Sequence, residues 1–275
     1  MKPPVRLTAK DRHLVEAFLS DNLDQYVFVA ERIFGRDAED SIVLALLDDG
    51  SIESMLFISG NAVPISVSDQ QAQQFVNTTY VKYAQIASIV GARDDVATFW
   101  KALSSSDPSR SVASERPSQP YLLLDKHIES SLQSMIRYIT IDDFDQYFDA
   151  SHAMFVGEVG RAPYNLETYK QRLRDQVLQK RSIGYFDDEG VLRFKVDVPI
   201  RYGDVCQVQG VWMHPEWRGH GRSAQHFSDA LAIIQRDIAF RVTLYVNDFN
   251  LPALSLYRRL GFSQIEEYST IFLDV

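Results

Sequence analysis

The ten residues HPEWRGHGRS, His214–Ser223, combine two glycines, two arginines and a proline at the junction of two unlike segments. The preceding segment, VCQVQGVWM, is apolar enough for a buried strand, whereas the following one, SAQHFSDALAIIQRDI, has apolar residues at helical spacing. Glycine readily adopts positive φ and lets a ligand approach the main chain, so this junction has the composition of a binding loop. The sequence therefore predicts a strand, a glycine-rich loop and a helix in this order.

The chemistry of this loop favours a diphosphate ligand. A helix N-terminus offers unpaired N–H groups and the positive end of the helix dipole. Gly219 and Gly221 permit close approach of the main chain to an anion, and Arg218 and Arg222 add positive charge. The loop lacks the Gly-Lys-Ser/Thr of a Walker loop and the three spaced glycines of a dinucleotide fingerprint.

A second motif follows a further strand candidate, RVTLYVND, and reads NDFNLPALSLYRRLGF from Asn247 to Phe262. Asn250 is a suitable N-cap, Pro252 is tolerated in a first helical turn, and Gly261 is a typical residue to end a helix. We therefore expect a short helix that carries Tyr257.

Together the two motifs resemble those of the GCN5-related N-acetyltransferase (GNAT) superfamily, over about Gln207 to Phe262. The family's Gln/Arg-x-x-Gly-x-Gly/Ala motif matches Arg218, Gly221 and Ser223, where serine departs from Gly/Ala. Its second motif, Asn-x-x-Asn-x-x-Ala-x-x-Leu/Phe-Tyr-x-x-x-Gly-Phe, is met in full by Asn247, Asn250, Ala253, Leu256, Tyr257, Gly261 and Phe262. The stretches GVWMHPEWRG and LYVNDFN also resemble those of actinobacterial-type tandem proteins with a degenerate N-terminal GNAT-like copy.

The resemblance implies an α/β fold of two GNAT-like mixed-sheet domains, each a central twisted sheet flanked by helices. Acetyl-CoA would lie in a wedge between two splayed parallel strands of the C-terminal domain. Backbone groups of the strand before the loop would bind the pantetheine, and loop amides would hold the diphosphate. The residues expected to bind acetyl-CoA are Val211, Trp212, Met213, Arg218, Gly219, His220, Gly221, Arg222, Ser223, Ala224, Asn247, Asn250, Ala253 and Tyr257.

Acetyl transfer to an amine also needs residues that move protons. Tyr257 matches the family's usual tyrosine and is the candidate acid for the departing thiolate, since a phenol can donate to sulfur. Some family members carry a glutamate early in the strand before the loop, where this sequence has Gln207 and Gln209. Glu158 is the candidate base, because apolar neighbours in MFVGEVGRAPY are expected to enclose it and raise its pKa. A surface glutamate and a water chain stay open as alternatives, and no metal site is expected.

A repeated pattern predicts two copies of one fold. Asp-Gly and Glu-Gly turns stand between apolar runs in IVLALLDDGSIESMLFI and SIGYFDDEGVLRFKVDV, which is typical of β-hairpins. A helix-patterned run precedes each hairpin, and a strand and helices follow it. The first copy has only Gly91 where the second has its loop. We predict domains at 1–128 and 134–275, with the Ser- and Pro-rich segment 104–120 as an exposed loop of the first.

The composition excludes several classes of protein. The 275 residues are 45% hydrophobic, enough for one large core or two modest ones. The 28 Lys and Arg against 37 Asp and Glu give a net charge of −9, which disfavours nucleic acid and mildly favours a cationic substrate. Cys206, the single cysteine, fits a reducing compartment, and no stretch resembles a signal peptide or membrane span. We therefore expect a cytoplasmic protein without a membrane or nucleic-acid partner.

These expectations define one function and its alternatives. The predicted enzyme moves the acetyl group of acetyl-CoA to a primary amine of a small molecule or peptide, by direct attack in a ternary complex. The alternative is a non-catalytic acyl-CoA-binding or regulatory module that lost its base with Gln207 and Gln209. A longer acyl-CoA or an aminoacyl-tRNA could replace the donor, although the charge of −9 disfavours tRNA. The sequence does not encode the acceptor, and it leaves a homodimer open.

Overall fold

The protein is described from a computed structural model, which covers residues 3–35, 41–129, 135–159, 162–163 and 165–274. The chain forms two compact units. The first comprises Met1–Leu122, Tyr245–Leu251 and Gln264–Val275, and the second comprises Leu123–Leu244 and Pro252–Ser263. Each unit contains a mixed sheet flanked by helices, so the predicted α/β class is confirmed. Among the described residues, no helix is both long enough and apolar enough to cross a membrane.

The elements follow one another in two series along the chain. The first series is β1 (Val5–Arg6), α1 (Arg12–Ser20), α2 (Leu23–Phe34), β2 (Ile42–Asp48), β3 (Ser51–Ser59), β4 (Asn61–Ile65), α3 (Asp69–Val76), α4 (Thr79–Lys82), β5 (Ser88–Ala92), α5 (Arg93–Ser106) and β6 (Val112–Leu124). The second series is β7 (Ile136–Tyr138), α6 (Phe144–Val159), α7 (Leu166–Leu178), β8 (Ser182–Phe186), β9 (Leu192–Tyr202), β10 (Val205–Met213), α8 (Arg222–Asp237), β11 (Arg241–Tyr245), α9 (Leu251–Arg259) and β12 (Ser263–Leu273).

The two series correspond element by element, apart from the short additional helix α4. Each also opens with the same local device, a Thr-x-x-Asp capping box after its first strand. The backbone N–H of Thr8 donates to Asp11 at 2.9 Å, and that of Thr140 donates to Asp143 at 2.8 Å. Such a box satisfies backbone donors at a helix start. The repeated order supports the predicted duplication.

In the first unit the strands lie in the order β1-β2-β3-β4-β5-β12-β6. The predicted hairpin is confirmed: β2 and β3 pair antiparallel around Asp49 and Gly50, which both have positive φ. Strand β12 joins this sheet by pairing antiparallel with β5. The packing unit therefore includes the end of the chain, whereas the boundaries predicted from the sequence repeat, 1–128 and 134–275, stay a prediction.

The predicted exposed loop over Ser104–Pro120 is wrong. Helix α5 and strand β6 leave only residues 107–111 between them. Strand β6 lies beside β12 in the sheet, and the Gln119 side chain accepts a hydrogen bond from the Thr270 hydroxyl at 2.7 Å. Strand β6 forms despite its loop-like composition, because its main chain pairs with a neighbouring strand. The polar side chains at the start of β6 do not oppose this pairing, since they stay exposed to solvent.

In the second unit the strands lie in the order β11-β10-β9-β8-β7. The predicted hairpin of β8 and β9 is confirmed, with Gly190 at positive φ in its turn. Apolar side chains of α8 pack on β9, where the rings of Phe227 and Phe194 are 6.3 Å apart. Helices α6 and α7 build a second cluster with buried Tyr147 and Leu173. The two layers of helices hold the sheet between them and fix strand β10, which carries the predicted site.

Candidate active site

Strand β10 has two neighbours but stays paired with only one of them along its length. It pairs parallel with β11 at Val205, Cys206 and Gln207, and antiparallel with β9 from Val205 to Met213. Within the described residues, no pair with β11 follows Gln207. The end of β10 therefore has main-chain groups free of a β11 partner, as the resemblance implied for the splayed strands that receive acetyl-CoA.

A β-bulge interrupts β10 in the part that lies beyond its pairs with β11. Gln209 lies opposite Asp197, and Trp212 lies opposite Lys195, so two residues of β10 face one residue of β9. Gly210 is the first residue of the bulge and has φ of +61°. A bulge of this kind turns the main chain and redirects its N–H and C=O groups. These are the groups that were expected to bind the pantetheine.

The loop after β10 has the backbone that the sequence predicted. A short 3₁₀ turn, Pro215–Trp217, is held by Trp217, whose ring packs against Tyr185 at 5.6 Å. Gly219 and Gly221 have φ of +78° and +72°, and a Cβ at either position would meet nothing within 4 Å. The positive φ therefore favours glycine at both positions. The space beside both glycines is open.

Helix α8 begins directly after Gly221, and within the described part of the chain no side chain caps it. Its first N–H groups border a cavity of about 150 Å³ that α9 closes on the other side. The lining residues are Gly221, Ser223, Ala224, Pro252, Ser255, Leu256 and Arg259. A helix N-terminus, the main chain of a glycine-rich loop and an arginine are the donors that a diphosphate needs, so these residues fit that part of CoA.

The charged residues of the loop take different roles. The Arg218 Nε donates to the main-chain O of Met213 at 3.0 Å, so this arginine ties the loop back to β10. The Arg222 guanidinium lies over the Trp217 ring at 4.3 Å and stays exposed, as does His220. Arg218 therefore shapes the loop, whereas Arg222 keeps its charge in solvent beside the start of α8.

Tyr257 lies on the buried side of α9. Its ring packs on Phe227 and Phe262, each at 5.8 Å, and 7% of the residue is exposed. Burial, followed by the negative charge of Glu158, raises the pKa of the Tyr257 phenol above its ordinary value. The phenol therefore stays protonated at neutral pH and can act as a donor but not as a base.

One face of helix α6 carries Tyr147, Met154 and Glu158, which are spaced by seven and four positions. Tyr147 bonds to a carboxylate of β9, and the Met154 Cε is 3.4 Å from the position of a Cβ on Gly210. Glu158 stands on the next turn and is close enough for its charge to act on Tyr257. The helical period thus places Glu158 on the same face of α6 as Tyr147 and Met154.

The environment expected for Glu158 differs from the one observed. Its side chain is exposed, Val156 is exposed too, and the side chain of Val159 lies outside the described residues. The expectation that apolar neighbours enclose the carboxylate is wrong, because α6 turns this position toward solvent. Gln209 is also exposed and donates to the Gln207 side chain at 3.4 Å. The role of Glu158 as base stays a prediction.

The asparagines of the second motif belong to the segment grouped with the first unit. The Asn247 side chain accepts a hydrogen bond from Gln119 at 3.1 Å, and the Asn250 N–H donates to the Asn247 carbonyl at 2.9 Å. Helix α9 begins right after Asn250, with Ala253 half-buried in its first turn. These contacts build the start of the helix, and their predicted contact with pantetheine stays a prediction.

Sequence reasoning missed two sets of residues. Pro252, Ser255 and Arg259 line the cavity from α9, and their spacing is that of one helix face. A helical wheel started at Pro252 would have found them. Lys195 and Asp197 form an ion pair beneath the bulge at 2.6 Å, with 0% and 8% of their side chains exposed. The alternation of side chains along β9 predicts that Lys195 and Asp197 share one face of the strand. No sequence motif, however, indicates that two charged residues on this face form a buried ion pair.

Comparisons with known proteins agree with the predicted family. A model described as Acetyltransferase (GNAT) family matches residues 145–262, and one described as Domain of unknown function (DUF4081) matches residues 42–147. No curated protein gives a significant match.

Several solved structures share the fold of nearly the whole chain. A Drosophila protein is 11% identical with a TM-score of 0.67, over 99% of both chains. A GCN5-related N-acetyltransferase from Sphaerobacter thermophilus is 13% identical with a TM-score of 0.60, over 98% of this chain and 94% of its own. A tandem GNAT protein from the clavulanic acid biosynthesis pathway is 14% identical with a TM-score of 0.58, over 98% and 97%. The range 145–262, which contains the bulged strand, the glycine loop and the helix of Tyr257, thus forms a domain that matches the acetyltransferase (GNAT) family model.

Proposed function

We propose that this protein transfers the acetyl group of acetyl-CoA to a primary amine by direct attack within a ternary complex. The family supports acyl-CoA-dependent acetyl transfer as the general chemistry, and the amine and the direct attack are the proposal. The observation that carries it is the cavity at the N-terminus of α8. It combines the glycine loop with α9, the helix that holds Tyr257.

The reaction requires one proton to move for each acetyl group. Acetyl-CoA supplies an acyl carbon activated as a thioester. A bond forms between the amine nitrogen and this carbon, the carbon–sulfur bond breaks, a proton leaves the nitrogen, and the sulfur departs as a thiolate that is protonated. An alkyl ammonium has a pKa of about 10.4, so a base must first provide the neutral amine.

Tyr257 is the proposed donor to the departing sulfur. Because burial raises its pKa, the phenol is a weaker acid than a thiol, whose pKa is about 8.5. Full transfer of its proton is therefore unfavourable, and a hydrogen bond to the developing thiolate is the contribution we propose. The final proton then comes from solvent.

Glu158 is the proposed base for the amine, and we expect Glu158→Gln to lower kcat about 10- to 100-fold at pH 7. The loss should shrink as the pH rises toward 10, because the amine then becomes neutral without help. Steady-state rates from pH 6.5 to 9.5 measure this. Glu189→Gln removes an exposed glutamate in the turn between β8 and β9 and should leave the profile unchanged. Parallel profiles of wild type and Glu158→Gln would exclude Glu158 as the base.

Release of free thiol from acetyl-CoA over a panel of primary amines tests the function directly. We expect release that depends on the amine and is accompanied by the mass of one acetyl group on it. CoA binding without turnover for any amine would favour the non-catalytic alternative. That alternative has one supporting observation, since Gln207 and Gln209 place no carboxylate at that part of β10.

A further inference from the structure

A buried network of charged and polar side chains lies beneath strand β10. The Lys195 Nζ donates to Asp197 Oδ2 at 2.6 Å, and the Tyr147 hydroxyl donates to Asp197 Oδ1 at 2.9 Å. The Ser182 hydroxyl donates to the Tyr147 oxygen at 2.9 Å. Burial raises the pKa of the Tyr147 phenol, which keeps this donor protonated. Three elements, α6, β8 and β9, thus hold one carboxylate in place.

The ion pair lies opposite the bulge in the register of the sheet. Asp197 lies opposite Gln209 and Lys195 lies opposite Trp212, which are the residues on either side of the bulge. The two charged side chains occupy the same face of β9 two positions apart, and their contact therefore spans the site where β10 has its additional residue. The ion pair and the bulge occupy the same stretch of the sheet.

The ion pair lies close to Gly210, the first residue of the bulge. A Cβ on Gly210 would lie 2.6 Å from Asp197 Oδ2 and 2.9 Å from Lys195 Nζ, both too short for real atoms. The ion pair therefore fills the volume that a side chain at position 210 would need. The ion pair packs against the side of Gly210 where other residues carry a Cβ, and the positive φ of Gly210 disfavours most other residues as well.

Stability alone does not account for this pair. Desolvation of two buried charges offsets most of their attraction, and well-packed uncharged side chains of similar volume often replace such a pair without loss. The hydrogen bond between an ammonium and a carboxylate is, however, directional, so it can hold one backbone shape where apolar contacts would allow several. We infer that the Lys195–Asp197 ion pair is a positioning element that holds the β10 bulge at Gly210 in the shape required for acyl transfer.

This inference deepens the proposed function and rests on it for its kinetic part. The bulge directs the main-chain groups that follow Gly210, including those expected to orient the thioester, while the diphosphate is assigned to the loop and α8. Loss of the ion pair should therefore misplace the reacting end of the substrate and leave the anchored end in place. The expected signature is a fall in kcat with little change in CoA affinity.

The double variant Lys195→Met/Asp197→Asn tests the inference in the full-length chain. It removes both charges with little change in volume and leaves no unpaired charge in the core, so it should fold where a single variant could fail. We expect hydrogen exchange in the peptide Gln209–Met213 to become at least about tenfold faster. We also expect kcat to fall at least about tenfold, while the Kd for CoA changes less than about threefold. Thr243→Val, which removes a buried hydroxyl bonded to the Cys206 carbonyl on β10, is the control and should change none of the three.

The outcomes separate the inference from the function. Unchanged exchange in Gln209–Met213 would overturn the inference whatever the activity. Faster exchange throughout the second unit with a lower melting temperature would also overturn it, since the pair would then be merely structural. If wild-type protein acetylates no amine, the proposed function fails, and faster exchange confined to Gln209–Met213 would still support the positioning role.

Discussion

Replacement of Tyr257 by phenylalanine is expected to lower kcat at least about 100-fold, while the Kd for acetyl-CoA changes less than about threefold. The hydroxyl is the only group lost, because phenylalanine keeps the ring that packs on Phe227 and Phe262. Since the raised pKa keeps this phenol protonated, the variant loses a hydrogen bond to the departing sulfur. Steady-state kinetics with a competent amine, together with calorimetric titration of CoA, measure the two effects.

A matched control separates this effect from the general loss of a hydroxyl group. Tyr138→Phe removes a hydroxyl that donates to Asp237 at 3.1 Å, in the same unit of the chain. We expect normal kcat and a normal melting temperature for this variant. An equal loss of turnover and of CoA affinity in Tyr257→Phe would assign Tyr257 to packing, and undiminished turnover would remove it from the mechanism.

Replacement of Ser223 by aspartate should affect affinity and stability in opposite directions. Ser223 lies in the first turn of α8 and lines the cavity assigned to the diphosphate. A carboxylate there repels a phosphate at about 4 Å by several kcal/mol at an effective dielectric of about 20, so CoA affinity should fall at least about 100-fold. The same charge complements the helix dipole and should raise the free energy of unfolding by about 0.5 kcal/mol.

The isosteric neutral variant Ser223→Asn is the control for size. It should bind CoA within about tenfold of the wild-type protein, because it adds similar volume without charge. Calorimetric titration gives the affinities, and urea unfolding gives the stabilities. If Ser223→Asp binds CoA as well as Ser223→Asn does, the diphosphate is not held at the start of α8.

The features that the sequence predicted are those encoded locally. The two hairpins follow from turn residues between apolar runs. The loop follows from Gly219 and Gly221, because local steric limits favour glycine at positive φ. The helix of Tyr257 likewise begins and ends near its predicted cap residues, with Gly261 at φ of +91° past its end. A short stretch of chain determines each of these features, so the sequence alone is sufficient.

Features that depend on distant partners could not be predicted. The segment Ser104–Pro120 has the composition of a loop, but β6 forms because β12, more than a hundred residues later, lies beside it in the sheet. The exposure of Glu158 depends on how α6 is rotated against the sheet. The ion pair of Lys195 and Asp197 has meaning only beside Gly210 of another strand. Propensity and period describe a segment, whereas these sites are set by tertiary contacts.

A crystal structure of the full chain with CoA would locate the diphosphate and the sulfur. We expect density for the diphosphate against the main-chain N–H groups from Gly219 to Ala224, with the sulfur beside the Tyr257 hydroxyl. A diphosphate bound elsewhere would exclude the loop as the CoA site, and a sulfur remote from Tyr257 would exclude this residue as its hydrogen-bond donor.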